Sequence, residues 1–233
     1  MQVVARAAGL ASAAADALIS VVLNPSCASC GAVLERPIAG CVCEQCWRSV
    51  RALPRQISTR DDGPVAAVLA IGEYDGALRE IVHALKYQRR RSLARPLGEL
   101  MQQASIDLLR HVNCAVPVPL HRAREWTRGF NQAREIARHL RVPVVEMLER
   151  RRATRPQVAL TANMRHDNVK GAFRMRKRLK PEWLPTRHLS VVLVDDVSTT
   201  GATLDECARV LKAAGVGHVF ALTAARVSTR PLK

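Results

Sequence analysis

The stretch Val191-Val192-Leu193-Val194-Asp195-Asp196-Val197-Ser198-Thr199-Thr200-Gly201-Ala202-Thr203 decides how this chain folds. Four consecutive β-branched or leucine residues predict a strand buried on both faces, as strands are in parallel sheets. Asp195 and Asp196 then fall at its carboxyl end, where open α/β sheets bind their ligands. Ser198, Thr199, Thr200, Gly201, Ala202 and Thr203 follow with small hydroxyls, one glycine for close backbone approach, and the N–H groups of a helix start. Together they can cradle a phosphate without a lysine. Two adjacent carboxylates before such a loop need something to satisfy them, and ribose hydroxyls with Mg²⁺ would do so. Singly, such residues end strands and cap helices. The combined pattern is too specific for that alone.

Working outward, strand-like and helix-like runs alternate. Val65–Gly72 is an apolar, β-branched run, and Leu78, Ile81, Val82 and Leu85 follow at helical spacing. A helix is expected over about Leu93–His111, a strand at Ala115–Pro119, and a helix burying Phe130, Ala133, Ile136, Ala137 and Leu140. A short extended run lies near Val142–Val145. After the opening stretch, Leu204, Cys207, Ala208 and Leu211 mark a helix stopped by Gly215, and His218–Thr223 reads as a last strand. Strands alternating with helices imply an α/β fold with a largely parallel sheet covered on both faces.

The chain has 233 residues, 48% of them hydrophobic, which suits one ordinary domain plus a small module. Residues 1–60 read as an N-terminal helix and a cysteine cluster, and 61–233 as the α/β domain, with Asp61-Asp62-Gly63-Pro64 as a linker. Met1–Leu23 is apolar, but Arg6 and Asp16 interrupt it, so an amphipathic helix is expected there and no membrane span anywhere. A cytoplasmic location is expected.

Five of the seven cysteines crowd into one short stretch, which favours metal over disulfides. Cys27/Cys30 and Cys43/Cys46 form two CxxC knuckles able to close a structural, zinc-ribbon-like Zn²⁺ site. Cys41 rivals Cys43, although only Cys43 makes a CxxC with Cys46. Lys plus Arg number 36 against 20 Asp plus Glu, for a formal charge of +16. Such a surface attracts polyanions, and it is equally the mark of an Arg-rich composition. Arg150–Arg155 and Arg174–Lys180 read as compositional bias. Arg122, Arg124 and Arg128 crowd after the strand ending at Pro119, where a pyrophosphate could be held by bidentate guanidinium groups.

Val191–Thr203 resembles the ribose-phosphate signature of the type I phosphoribosyltransferases. Arg128-Gly129-Phe130-Asn131-Gln132 further resembles the ComF/GntX branch of that group. The resemblance continues in Tyr74-Asp75-Gly76, His83-Ala84-Leu85-Lys86-Tyr87, Gln157-Val158-Ala159-Leu160, Arg165, Asn168 and Gly171-Ala172-Phe173. It implies that Asp195 and Asp196 bind the ribose hydroxyls of phosphoribosyl pyrophosphate (PRPP) and that Thr199–Thr203 bind its 5-phosphate. Lys86, His121, Arg122 and Arg128 would lie near the pyrophosphate, with Mg²⁺ on that leaving group. Arg165 and Asn168 would belong to a flap closing over substrate.

Three functions follow from that resemblance. One is a ComF-type protein binding PRPP and linked to DNA uptake or nucleotide metabolism, with single-stranded DNA and the uptake machinery as partners. Another is an active transferase moving ribose 5-phosphate to a base or amine. The third is a PRPP-sensing regulator. Aromatic residues make up 3% of the chain, which argues against a dedicated single-strand stacking platform.

Overall fold

The computed structural model describes residues 25–59, 63–152 and 168–227. The expected N-terminal helix lies outside them. Among the described residues a five-stranded sheet has β1 (Gln56–Thr59), β2 (Ala67–Glu73), β7 (His218–Arg226), β6 (Ser190–Ser198) and β3 (Cys114–Pro117) in that order. β2, β7, β6 and β3 run parallel, whereas β1 is antiparallel to β2 at the edge. Beyond β3, the extended run near Val142–Val145 bridges Ala115 in parallel through Val144. The sheet is thus mostly parallel, as expected. No described helix is long and apolar enough to cross a membrane.

β6 lies between β3 and β7, and its alternation builds two cores. Val191 and Leu193 face one side, with Leu204, Cys207 and Leu211 of α7 (Ala202–Ala213). Val192 and Val194 face the other, with α2 (Gly76–Tyr87), α3 (Ala94–Ala104) and α6 (Gln132–Ala137). The cysteine module, carrying α1 (Glu44–Arg51), joins this second core: Cys27, Leu34, Val42, Cys46 and Val50 are buried in one cluster with Leu78, Ile81 and Leu85 of α2.

Four expectations needed correction. The helix over Leu93–His111 is broken: α3 ends at Ala104 and a short α4 (Ile106–Leu109) follows. The break falls at Ser105, whose backbone leaves the helical region at φ −123°, with its buried hydroxyl donating to the Met101 carbonyl at 2.6 Å beside its own N–H at 3.1 Å. β6 and β7 run three or more residues further than expected, because each strand's backbone finds a parallel partner out to Ser198 and Arg226. β1 was not foreseen, since an edge strand buries too little to need a regular apolar pattern. Nor was a separate ribbon of β4 (Leu148–Arg150) and β5 (Phe173–Met175), whose partners are far apart in sequence.

Candidate functional site

Alternation along β6 sends its two carboxylates to opposite faces. Asp196 shares the face of Val192 and Val194, over which α2 ends, and its Oδ1 lies 2.8 Å from the Lys86 ammonium. Asp196 is buried and Lys86 largely so, their side chains 4% and 16% exposed, so little water screens the pair. Asp196 Oδ2 is buried with no hydrogen-bond partner among the described residues. A buried orphan carboxylate oxygen is costly unless a ligand or cation satisfies it.

Asp195 faces α7 and the ribbon. Its Oδ1 accepts from the Asp196 N–H at 2.8 Å, and Thr223 of β7 lies directly across, its buried hydroxyl also lacking a partner among the described residues. Burial first, and then the charge of Asp196, push the Asp195 carboxyl up to about 7, although Lys86 and Arg150 pull the other way. For Lys86, burial opposes the charge, but Asp196, Asp195 and Tyr74 outweigh it and lift its pKa above the ordinary lysine value. The folded pKa of Asp195 lies above its unfolded value near ~4, so its stabilising contribution is complete below that pH and is lost as pH rises through about 7. The ligand-free protein should therefore lose more melting temperature between pH 5.5 and pH 8 than an Asp195→Asn variant does. Identical losses in differential scanning calorimetry would refute this.

β6 runs to Ser198, whose carbonyl accepts from the Val227 N–H at 2.9 Å, so Ser198 belongs to the strand and the loop proper is Thr199–Gly201. Gly201 sits at φ 82°, a left-handed conformation that turns the chain from strand into α7 and that side chains resist. Ala202 and Thr203 fall in the first turn of α7, and Thr200 Oγ1 accepts from the Ala202 N–H at 3.5 Å. The loop therefore offers hydroxyls and helix-start N–H groups beside the two carboxylates.

After β3, His121 caps α5 (Arg122–Arg128), accepting from the Ala123 N–H at 3.3 Å. His121 and Arg122 line a cavity of about 380 Å³, whose other wall is Glu149, Arg150, Arg151 and Arg174 of the ribbon region. Glu149 pairs with Arg174 and is the one carboxylate among these lining residues, so the cavity is strongly cationic. The Arg150 guanidinium stacks 5.1 Å from the Phe173 ring, and burial, with the charge of Arg124 nearby, pushes its pKa below the ordinary value. The ribbon is held in place from below, where Gly171 donates its N–H to the buried Glu206 of α7 at 2.6 Å.

The structure thus brings Lys86 to the carboxylates and His121 with Arg122 to the cavity. Arg128 does neither: its guanidinium lies over the Tyr87 ring at 5.4 Å and bonds Gln132 Oε1. In the Arg128–Gln132 block, Gly129 takes φ 85° to end α5, Phe130 is buried, and Asn131 caps α6 while donating to the Val118 carbonyl at 3.0 Å. The block therefore fixes the turn that carries Arg122. Asn168 contributes its carbonyl to Arg152 at 3.4 Å, and Arg165 lies outside the described residues. Sequence reading missed Arg150, Arg151 and Arg174. Their signal was weak: Phe173-Arg174-Met175 alternates a charged with apolar residues over only three positions, and Leu148-Glu149-Arg150 does not alternate.

The thiols of Cys27, Cys30, Cys43 and Cys46 converge, with all sulfurs within 4.8 Å of one another. Cys43 supplies the fourth sulfur, and Cys41 instead serves through its carbonyl, which accepts from Ala28 N–H at 2.7 Å. Burial raises the Cys27 thiol pKa, but N–H groups of Cys30, Cys43 and Ser29 outweigh it and bring it down to about 6. N–H donors aimed at a sulfur favour the thiolate a soft divalent cation requires, so the donor set fits a tetrahedral metal site.

Residues 127–232 match the family described as phosphoribosyl transferase domain. The chain is 31% identical over 205 residues to the DNA utilization protein YhgH of Salmonella typhimurium, covering 83% of this chain and 86% of that one. It is 33% identical to the Escherichia coli protein of the same name, covering 67% and 70%. Against competence protein F of Haemophilus influenzae it is 33% identical, covering 65% and 69%. With its four-cysteine cluster set before a phosphoribosyltransferase domain, the chain belongs to the ComF/GntX family of phosphoribosyltransferase-like proteins.

Proposed function

We propose that the protein binds PRPP with Mg²⁺ at the carboxyl end of β6 and serves DNA utilisation in the cytoplasm, in contact with single-stranded DNA and the DNA-uptake machinery. The observation that carries the ligand is the pairing of a buried, unsatisfied Asp196 oxygen with a left-handed Gly201 loop at one strand end. Asp195 and Asp196 hold the ribose hydroxyls, and Thr199–Thr203 hold the 5-phosphate. His121 and Arg122 reach the pyrophosphate from the far wall, and Lys86 orients Asp196. Arg128 acts one step removed, by packing the turn. Mg²⁺ neutralises the pyrophosphate when bound. Arg165 and Asn168 belong to the segment that closes the site. The four thiols hold Zn²⁺ as a structural ion, with no position open to substrate. The DNA role is supported by the names of the relatives and by the charge of +16.

Calorimetric titration of PRPP in the presence of Mg²⁺ tests this reading. Wild type should give saturable heat, and Asp195→Asn with Asp196→Asn should weaken binding at least about a hundredfold, since two hydrogen bonds to charged acceptors are lost. No heat from wild type, or equal binding by the variant, would sink it. A screen of bases and amines for pyrophosphate release then separates an active transferase from a sensor.

A further inference from the structure

Trp126 is 88% exposed, more than any other large hydrophobic side chain among the described residues. It stands on α5 one helical turn beyond Arg122, and residues so spaced share a helix face. Tyr87, at the end of α2, is 61% exposed and lies under the Arg128 guanidinium. Arg89 joins the two elements by donating to the Thr127 carbonyl at 2.9 Å. Arg122 on the Trp126 side of α5, Arg89 at Thr127 and Arg128 over Tyr87 are the arginines of this region, whereas Arg91 is paired with Glu135 at 2.8 Å, and Glu125, the carboxylate of α5, is paired with Arg134.

We propose that Trp126, Tyr87 and the arginines between them form a binding surface for single-stranded nucleic acid, with a base stacked on Trp126 and the phosphates tracking through Arg122 toward the arginine-lined cavity. The inference rests on the DNA-handling reading above and supplies its surface. Charge complementarity selects the partner. A protein-docking tryptophan needs apolar neighbours, and here the residue one turn before it on the same helix face is Arg122, whose guanidinium group can bind a backbone phosphate and stack with a base. A single strand is favoured over a duplex because an open ring face needs an unpaired base to cover it. The low aromatic content misleads on this point: stacking depends on where the rings stand, and two of them stand at the surface among arginines.

Fluorescence anisotropy with a short labelled oligodeoxythymidine is the test. Trp126→Ala should weaken binding roughly tenfold, in the range expected for loss of one stacked base. The salt dependence should stay unchanged because no charge is removed, and so should the calorimetric PRPP titration. Arg122→Gln should reduce the salt slope by about one. Trp126→Phe should retain most of the affinity. Two results would overturn the surface while leaving the DNA reading intact: wild-type affinity in Trp126→Ala, or equal binding of an abasic oligomer or of duplex. Failure of the wild type to bind any oligonucleotide would overturn both. Loss of PRPP binding in the wild type would strike only the phosphoribosyl reading.

Discussion

Lys86→Met is expected to cost about 3–5 kcal/mol of stability at pH 8, the range for removing one member of a buried ion pair. The reason is the arrangement left behind. Asp196 would lose its partner at 2.8 Å while still buried, and Asp195 beside it, already lifted to about 7, would lose the cation that restrains it. Asp195 would then take up a proton on folding all the more readily. Because its folded pKa exceeds the unfolded one, stability lost at pH 8 should return as the pH falls through the raised value toward 5.5. Urea unfolding of wild type and variant at both pH values measures this. A second variant, Lys86→Met with Asp196→Leu, should recover much of the loss, because it removes the orphaned charge with its partner. If the single variant matches wild type at pH 8, the pair does not carry the energy assigned to it.

If the four thiols hold zinc as proposed, its removal should have a comparable or larger effect on one part of the molecule. Structural Zn²⁺ in small finger peptides contributes on the order of 10–16 kcal/mol of apparent binding free energy, which is folding free energy for a segment without its own core. The cysteine module has few apolar residues of its own, and Leu34, Val42 and Val50 are buried in one cluster with Leu78, Ile81 and Leu85 of α2. Protein carrying Cys27→Ser and Cys46→Ser should therefore purify without zinc. Its amides from Cys27 to Arg51 should exchange freely, with weakened protection in α2, while β6 and β7 stay protected. Stoichiometric zinc by elemental analysis, or unchanged exchange in the module, would refute the assignment.

What could be read in advance follows from how local the determining interactions are. The strand Val191–Val194 and the helices carrying Leu78–Leu85 and Leu204–Leu211 declare themselves because burial imposes a period on adjacent residues. The two CxxC knuckles are equally local, and the convergence of their sulfurs selects Cys43 over Cys41 as the CxxC spacing does. The loop at Gly201 was legible for the same reason: its glycine, hydroxyls and carboxylates are neighbours in sequence. Other parts of the site depend on pairings between distant segments. Lys86 reads as a cation at a helix end, and nothing near it in sequence announces Asp196. Arg150 and Arg174 read as composition until β4 pairs with β5 and faces them to His121 and Arg122. The break at Ser105 falls inside an apolar pattern that carries on through Leu108 and Leu109, so periodicity does not announce it.

The adjacent carboxylates on β6 also make this strand a locally frustrated spot in an otherwise mutually consistent chain. Every other level agrees there: pattern, pairing and packing all favour the strand, and only the charges dissent. A search for stabilising substitutions would settle first on Asp195, or on Asp196 together with Lys86, and the hardier protein it produced would have lost the groups that make the strand end worth keeping.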